Sequence, residues 1–324
     1  MDCLLIGIGL VIFAYFDHVR PSSQVTVVAT PTPTATLAPT ASPTPYVEMA
    51  VATATPEPTA TPIPEGVFEF EDVFTDGEVI ETQTSYKSAN VSVTLSNTVC
   101  VSPNKQSFFF LDIYVRNIEC LRRAFANDTY GQGITEKFID MSQRVNAICS
   151  INGDYYGFGN RKSGLVIANG VLYRDNFCKN EDVCVLFYDG TLKTYKYGSC
   201  SLDPQELINE GAWQAFSFGP ALLDENGELF ETYPQTETDP RTAIGMIEPG
   251  HYILAVFDGR RDDTYAKGLT YKGVAQQMKQ LGCVAAFNLD GGGSSQMSFL
   301  GSVANSPYKS GRPVSDIVYV CNIE

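Results

Sequence analysis

Past residue 65, runs of β-branched and aromatic residues recur along the chain. Val91–Val99, Phe108–Val115, Thr242–Ile247, Tyr252–Phe257, Val284–Leu289 and Ile317–Val320 read as strands. Turn pairs separate shorter runs. Asn169-Gly170 joins Leu165–Ile167 to Val171–Tyr173, Asp189-Gly190 joins Val183–Tyr188 to Leu192–Tyr195, and Asn226-Gly227 joins Ala221–Leu223 to Leu229–Phe230. Asn-Gly and Asp-Gly supply the positive φ that tight hairpin turns require, so three hairpins are predicted. Helical spacing is rarer. Thr135–Ile148 puts Phe138, Met141 and Val145 on one face. Asp203-Pro204-Gln205-Glu206 has the N-cap, N1 and N3 residues of a helix start, and Gly211 ends it. Thr270–Leu281 sets Tyr271, Val274, Ala275, Met278 and Leu281 on one stripe, closed by Gly282. The pattern predicts an α+β fold with mixed, largely antiparallel sheet and a few packed helices.

The N-terminus departs from this pattern. Residues 1–20 are almost wholly apolar from Leu4 to Phe16, shorter than the roughly 20 residues of a spanning helix and without a basic leader. They read as a membrane anchor or the remnant of a signal. Residues 21–65 repeat Pro-Thr and Ala-Thr pairs and have no apolar face, which predicts an extended, disordered stalk. An anchor followed by such a stalk places the remainder outside the cell, held to the plasma membrane. That remainder divides into a β-rich part, 66–134, and a larger part, 135–324.

The formal net charge of −15 and pI near 4.6 exclude a nucleic-acid binder, which would carry a basic patch. Arginines therefore gain interest wherever an anionic ligand is considered. The nine cysteines include Cys3 in the apolar segment; the others form an even set in a compartment inferred to be oxidising. Cys178 and Cys184, flanking a polar loop, are the best local candidates for a disulfide. No CxxC occurs, and the two histidines are His18 and His251, which argues against structural zinc. His251 follows Glu248-Pro249-Gly250 and reads as a solvated turn residue.

The chemistry concentrates in Asn288-Leu289-Asp290-Gly291-Gly292-Gly293-Ser294-Ser295. An apolar run delivers Asp290 to a strand exit, and three glycines let backbone approach a ligand closely. Free N–H groups in such a turn suit an anionic or polyhydroxylated ligand. A phosphate-cradling P-loop is excluded, because Gly293 stands where that motif needs lysine. The dinucleotide fingerprint is excluded by the glycine spacing. A tight structural turn is the alternative.

Further motifs accompany this one in order. They are Ile151-Asn152-Gly153-Asp154-Tyr155-Tyr156, Phe218-Gly219-Pro220, Pro240-Arg241-Thr242-Ala243-Ile244-Gly245 and Phe257-Asp258-Gly259-Arg260-Arg261, then Gly268-Leu269-Thr270, Asn305-Ser306-Pro307 and Arg312-Pro313-Val314. From roughly Thr135 to Val320 the series resembles the phosphodiester glycosidase family. The resemblance implies hydrolysis of the bond between the anomeric carbon of a sugar and a phosphodiester oxygen, within a cell-surface or exopolysaccharide glycan. Asp290, Asp258 and Asp154 are then the candidate catalytic carboxylates. Arg241, Arg260 and Arg312 suit the phosphate. Thr242, Asn152, Asn288, Ser294, Ser295 and the backbone of Gly291, Gly292 and Gly293 would bind sugar hydroxyls or phosphate oxygens. No cofactor is implied, although the same carboxylates can hold a divalent cation such as calcium. A non-catalytic glycan-binding module and a phosphodiesterase that breaks the P–O bond are the other readings. One position departs from the family pattern: Gly273 stands where a glutamate commonly follows the helix-opening threonine, which removes a capping box.

Overall fold

The computed structural model describes residues 66–100, 106–157, 164–176, 181–198, 202–260 and 266–323. The anchor and stalk expected over residues 1–65 lie outside them. Every strand pairing within the sheets is antiparallel. Strand accounts for 40% of the described residues against 15% helix, so the fold is sheet-dominated rather than an even α+β mixture. No described helix is long and apolar enough to cross a membrane.

Three sheets form the molecule. The first contains β1 (Ile80–Glu81), β2 (Ser85–Lys87), β3 (Val91–Cys100), β4 (Gln106–Val115), β13 (His251–Phe257), β12 (Arg241–Glu248) and β14 (Ala285–Asn288), in that spatial order. β4 runs beside β13 from Phe108↔Phe257 to Tyr114↔His251, so residues 66–134 and 135–324 share one sheet. The second orders β10 (Leu192–Tyr195), β9 (Asp182–Phe187), β11 (Ala212–Phe218), β7 (Val166–Ala168) and β8 (Val171–Arg174). The third orders β16 (Ser302–Val303), β15 (Met297–Phe299), β6 (Cys149–Asn152), β17 (Asp316–Val320) and β5 (Leu121–Phe125).

Each sheet turns one face to a shared core. Val93 and Leu111 of the first sheet, Cys184 and Phe216 of the second, and Ile151 and Val318 of the third belong to one buried cluster. Each outer face is covered by one helix. α3 (Tyr271–Gln280) packs Val274, Ala275 and Met278 on the first sheet, α2 (Pro204–Asn209) packs Leu207 on the second, and α1 (Phe138–Arg144) packs Phe138 and Met141 on the third. β9, β13 and β17 are thereby buried at every position, because both of their faces have something to pack against.

The local signals act as expected at several points. Asn169 and Gly170 have φ of 51° and 77° in the β7–β8 turn, and Gly190 has φ of 81° in the β9–β10 turn. The Asn226-Gly227 turn closes a single bridge, Leu223↔Leu229. Asp203 accepts from the N–H groups of Gln205 and Glu206, and Thr270 Oγ accepts from Gly273 N–H at 3.1 Å. Other expectations need correction. α1 is half the predicted length, because Glu136 bridges to Val314 in extended conformation and delays the helix start. Cys184 is a free, buried thiol inside β9 and not half of a disulfide; Cys178 lies outside the described residues. His251 is not solvated. It begins β13, is buried, stacks on Tyr114 with ring centroids 3.8 Å apart, and its Nε2 lies 2.6 Å from Asp112 Oδ1.

Candidate functional site

Strand ends from all three sheets meet at one pole. β6 ends there at Asn152 opposite Ile317 near the start of β17, β14 ends at Asn288 opposite Ala243 near the start of β12, and β11 ends at Phe218 opposite Asp182 of β9. Asp290 follows β14 directly. Its N–H donates to Gly153 O at 3.2 Å, and Asn152 Nδ2 donates to its carbonyl at 2.7 Å.

The glycine turn is built by close approach. Gly292 N–H donates to Pro240 O at 2.9 Å, and a Cβ on Gly291 would meet that carbonyl oxygen at 2.8 Å. Gly292 has φ of +63°, which glycine adopts without cost. The turn tightens into one 3-10 turn over Gly292–Ser294. Asp290 Oδ1 accepts from Gly291 N–H at 2.8 Å, and Oδ2 accepts from Arg312 Nη2 at 2.8 Å. Arg312 Nε donates to Ser294 Oγ at 2.6 Å. The Arg312 side chain remains 37% exposed, whereas that of Asp290 is 12% exposed. Burial pushes the Asp290 carboxyl up, opposed by Ser294, Arg312 and the Gly291 N–H. Thr135, Asn152, Tyr155, Asp290, Ser294 and Arg312 wall a space of about 10 Å³, room for one water molecule.

A second arginine flanks the turn. Arg260 Nη1 lies 3.3 Å from where a Cβ on Gly292 would be, and its Nε donates to Asp239 at 2.7 Å. The turn therefore lies between two guanidinium groups, Arg260 and Arg312.

Other sequence-predicted residues are committed elsewhere. Asp154 does not reach the cleft: its carboxylate is wholly enclosed, accepting from Arg123 Nη2 at 2.6 Å and Ser217 N–H at 2.8 Å. Asp258 is also buried. It accepts from Asn305 Nδ2 at 2.8 Å, Ser306 N–H at 3.2 Å and Ser107 Oγ at 3.3 Å, fastening the loop after β16 to the end of β13. Arg241 is 4% exposed; its Nε donates to Leu269 O, its Nη2 to Glu237 O, and its guanidinium lies 3.9 Å from the Tyr271 ring centroid. It pins the start of α3. Thr242 Oγ donates to Asn152 Oδ1 at 2.8 Å, locking β12 to β6. Asn288 Nδ2 donates to Gly219 O and Leu289 O, while Asn288 Oδ1 and Ser295 Oγ are buried without a partner. Among the described residues no group of three or more His, Cys, Asp or Glu side chains is placed to hold a metal ion.

Sequence reasoning missed a second charged cluster. Arg123 of β5 is buried and pairs with both Asp154 and Asp316, each at 2.6 Å. Asp316 also lines the one-water cavity. Burial and the nearby Asp154 push the Asp316 carboxyl up to about 7, against the pull of Arg123. Gly153 has no room for a side chain, because the Asp316 carboxylate fills that position. A signal was present in the Arg122-Arg123 pair inside an otherwise apolar segment, but its partners are far away in sequence. Tyr155, in the Ile151–Tyr156 motif, belongs to the site as well. It lines the cavity with φ of +56°, a strained conformation for a tyrosine.

Comparison with known proteins agrees with this layout. The family model for phosphodiester glycosidase matches residues 145–321. The SPbeta prophage-derived uncharacterized protein YomE of Bacillus subtilis (strain 168) is 31% identical over 184 residues, which cover 55% of this chain and 28% of that protein. The chain thus spans little more than a quarter of that relative's length. The catalytic domain of zebrafish N-acetylglucosamine-1-phosphodiester alpha-N-acetylglucosaminidase, auto-inhibited by its pro-peptide, shares the fold at TM-score 0.57 and 21% identity, over 72% of this chain and 83% of that one. A hypothetical protein from Synechocystis matches at TM-score 0.53 and 16% identity, over 72% of this chain and 62% of that one. The family match covers more than half of the chain, from the end of α1 through β17, and so the chain belongs to the phosphodiester glycosidase family.

Proposed function

We propose that the protein hydrolyses the glycosidic bond of a sugar-1-phosphodiester, releasing the sugar and leaving a phosphomonoester. One observation carries this reading: Arg312 bridges Asp290 and Ser294 at the mouth of the glycine turn. A carboxylate paired to an exposed guanidinium is a switchable arrangement. An incoming phosphodiester takes the Arg312 Nη groups, while Nε stays on Ser294 and keeps the guanidinium oriented. Asp290 is released and acts on the anomeric carbon or on the attacking water. Its raised affinity for a proton suits a base in a poorly solvated site. Phosphate leaves as a stabilised anion, so no second carboxyl is needed to protonate it. In this reading Asp258, Asp154 and Arg241 hold the framework instead of touching substrate.

The expected setting is outside the cell, on a cell-surface or exopolysaccharide glycan, with the N-terminal segment in the membrane. Hydrolysis in ¹⁸O-labelled water tests the reaction. Label in the released sugar fits C–O cleavage. Label in the phosphate means P–O cleavage and overturns the glycosidase assignment. Retained glycan binding without turnover of any sugar-1-phosphodiester identifies a binding module instead.

A further inference from the structure

Asp290 and the enclosed Asp316 are neighbours across one residue, Gly153. Asp290 N–H donates to Gly153 O at 3.2 Å, and Gly153 N–H donates to Asp316 O at 3.0 Å. Gly153 lacks a Cβ, and the Asp316 carboxylate fills the place one would take. Asp290 and Asp316 also line the same space of about 10 Å³, together with Thr135, Asn152, Ser294 and Arg312. A water seated there can donate to both carboxylates, because its two hydrogens suit two acceptors. The reaction proposed above uses Asp290 and gives Asp316 no task.

Charge is unevenly matched among these groups. Three carboxylates, Asp154, Asp290 and Asp316, share two guanidinium groups, Arg123 and Arg312. All of them except Arg312 are buried. Arg260 and Arg241 are turned to Asp239 instead. Tyr156 faces Asp316 as well, but burial holds its phenol in the protonated form. One negative charge is therefore unmatched in an enclosed region, which favours holding a proton there. Burial and Asp154 set the Asp316 carboxyl at about 7, against the pull of Arg123. An anion that takes Arg312 from Asp290 brings a second unmatched charge and leaves Asp290 short of a donor. A protonated Asp316 answers both needs: it donates to the cavity water, and the water donates to Asp290 in place of Arg312. With the proton stored on Asp316, Asp290 stays ionised and can act as a base.

We infer that anion binding at Arg312 is coupled to uptake of one proton from solvent, stored on Asp316 across the cavity water from Asp290. Asp316 is thus a positioning residue, acting through Asp290 without touching substrate. The inference rests on the reading above that places phosphate at Arg312, and adds to it a residue and a pH dependence. Isothermal titration calorimetry of the full chain with dimethyl phosphate, a monoanion throughout the range used, tests it without requiring turnover. Runs in buffers of different ionisation enthalpy count the protons exchanged. At pH 7.5 roughly 0.5–1 proton enters per anion bound, and at pH 5 fewer than about 0.2, since Asp316 is already protonated there. Affinity accordingly falls by roughly three- to tenfold from pH 7.5 to 8.5. Asp316→Asn fixes the neutral state, so its uptake falls below about 0.2 proton and its affinity stays within about twofold across the same range. A merely structural Asp316 would change stability and leave the uptake in place. Asp154→Asn removes a charge that raises Asp316, shifts the uptake to lower pH, and keeps the test open should Asp316→Asn fail to fold. Binding without uptake in the unsubstituted protein, uptake that persists in Asp316→Asn, or uptake unmoved by Asp154→Asn overturns the inference alone. No saturable binding of dimethyl phosphate overturns it together with the phosphate contact at Arg312. The expected proton count without turnover of any sugar-1-phosphodiester overturns the catalytic reading alone.

Discussion

Two aspartate–arginine sites lie within the same pole and share almost no behaviour. Arg312 holds Asp290 at 2.8 Å at the mouth of the cleft, and Arg123 holds Asp154 and Asp316 at 2.6 Å inside the protein. The chemical groups are the same; the solvent differs. The Arg312 side chain is 37% exposed, so a ligand or water can replace Asp290 at little cost. The Arg123 side chain is 0% exposed, and nothing can replace its partners without unfolding the region. A buried guanidinium contributes by preventing two carboxylates from being left unpaired, whereas an exposed one contributes by being available. Proximity in a cleft is thus a poor guide to which carboxylate acts; exchangeability of its partner is a better one.

The largest expected effect breaks the inner site. Arg123→Met should cost about 3–5 kcal/mol of stability, since it leaves Asp154 and Asp316 enclosed without a counter-charge. Urea unfolding measures it, and a loss similar to that of Arg312→Met would erase the distinction drawn here. Asp290→Asn should leave stability nearly unchanged and reduce turnover by about 10²–10⁴-fold, the range for a general base. Near-normal rates in that variant remove Asp290 from the chemistry. Arg312→Lys keeps the charge and loses the forked geometry, so phosphodiester substrates should suffer more than simple aryl glycosides. Equal losses on both would count against a phosphate clamp.

Burial raises the carboxyls of both sites, and the inner one offers the pH test. The Asp316 carboxyl is raised to about 7 in the folded protein, above its ordinary value near 4. The folded state therefore binds more protons than the unfolded state between these values. The stability from this group is fully present below about pH 4 and declines as pH rises through about 7. Urea midpoints measured from pH 4 to 8 should show that decline, and Asp316→Asn should flatten it. The smallest effect lies at the helix start. Thr270 caps α3 without its glutamate partner, and Gly273 has ordinary φ with only the ends of Leu269 and Thr270 side chains near its missing Cβ. Gly273→Ala should raise stability by about 0.5–1 kcal/mol, and thermal melts would read an unchanged Tm as evidence that the added Cβ crowds Leu269.

How much of this was legible in the sequence follows from the range of the interactions. Asn169-Gly170 and Asp203-Pro204 specify their turns through neighbours, and the structure forms both. Among the strands the pattern does not reveal, β5 and β11 are interrupted by buried polar groups, while β1 and β16 are exposed pairs of residues too short to show a period. β5 carries Arg122 and Arg123, and β11 carries Gln214 amid apolar residues; each pairs inside a sheet because its polar groups find partners there. The inner ion cluster was illegible because Arg123 meets partners 31 and 193 residues away. The glycine turn was legible as a place, since Gly-Gly-Gly after an apolar run is a local signature. Which of its flanking aspartates meets the half-exposed Arg312 was not, because Asp258 and Asp290 both leave the first sheet at this pole and differ in what the returning loops lay over them.

The two glycines that seat the site have a consequence for how the protein tolerates drift. Gly291 rests on Pro240 O, and Gly153 rests on the Asp316 carboxylate; in each case an α-hydrogen occupies the only space there is. A core leucine can become methionine and repack, since side chains around it give way. An alanine at either glycine meets a backbone oxygen or a pinned carboxylate, and neither gives way cheaply. The least replaceable atoms of the site are therefore two hydrogens, and random substitution should damage activity through them at least as often as through the charged groups they support.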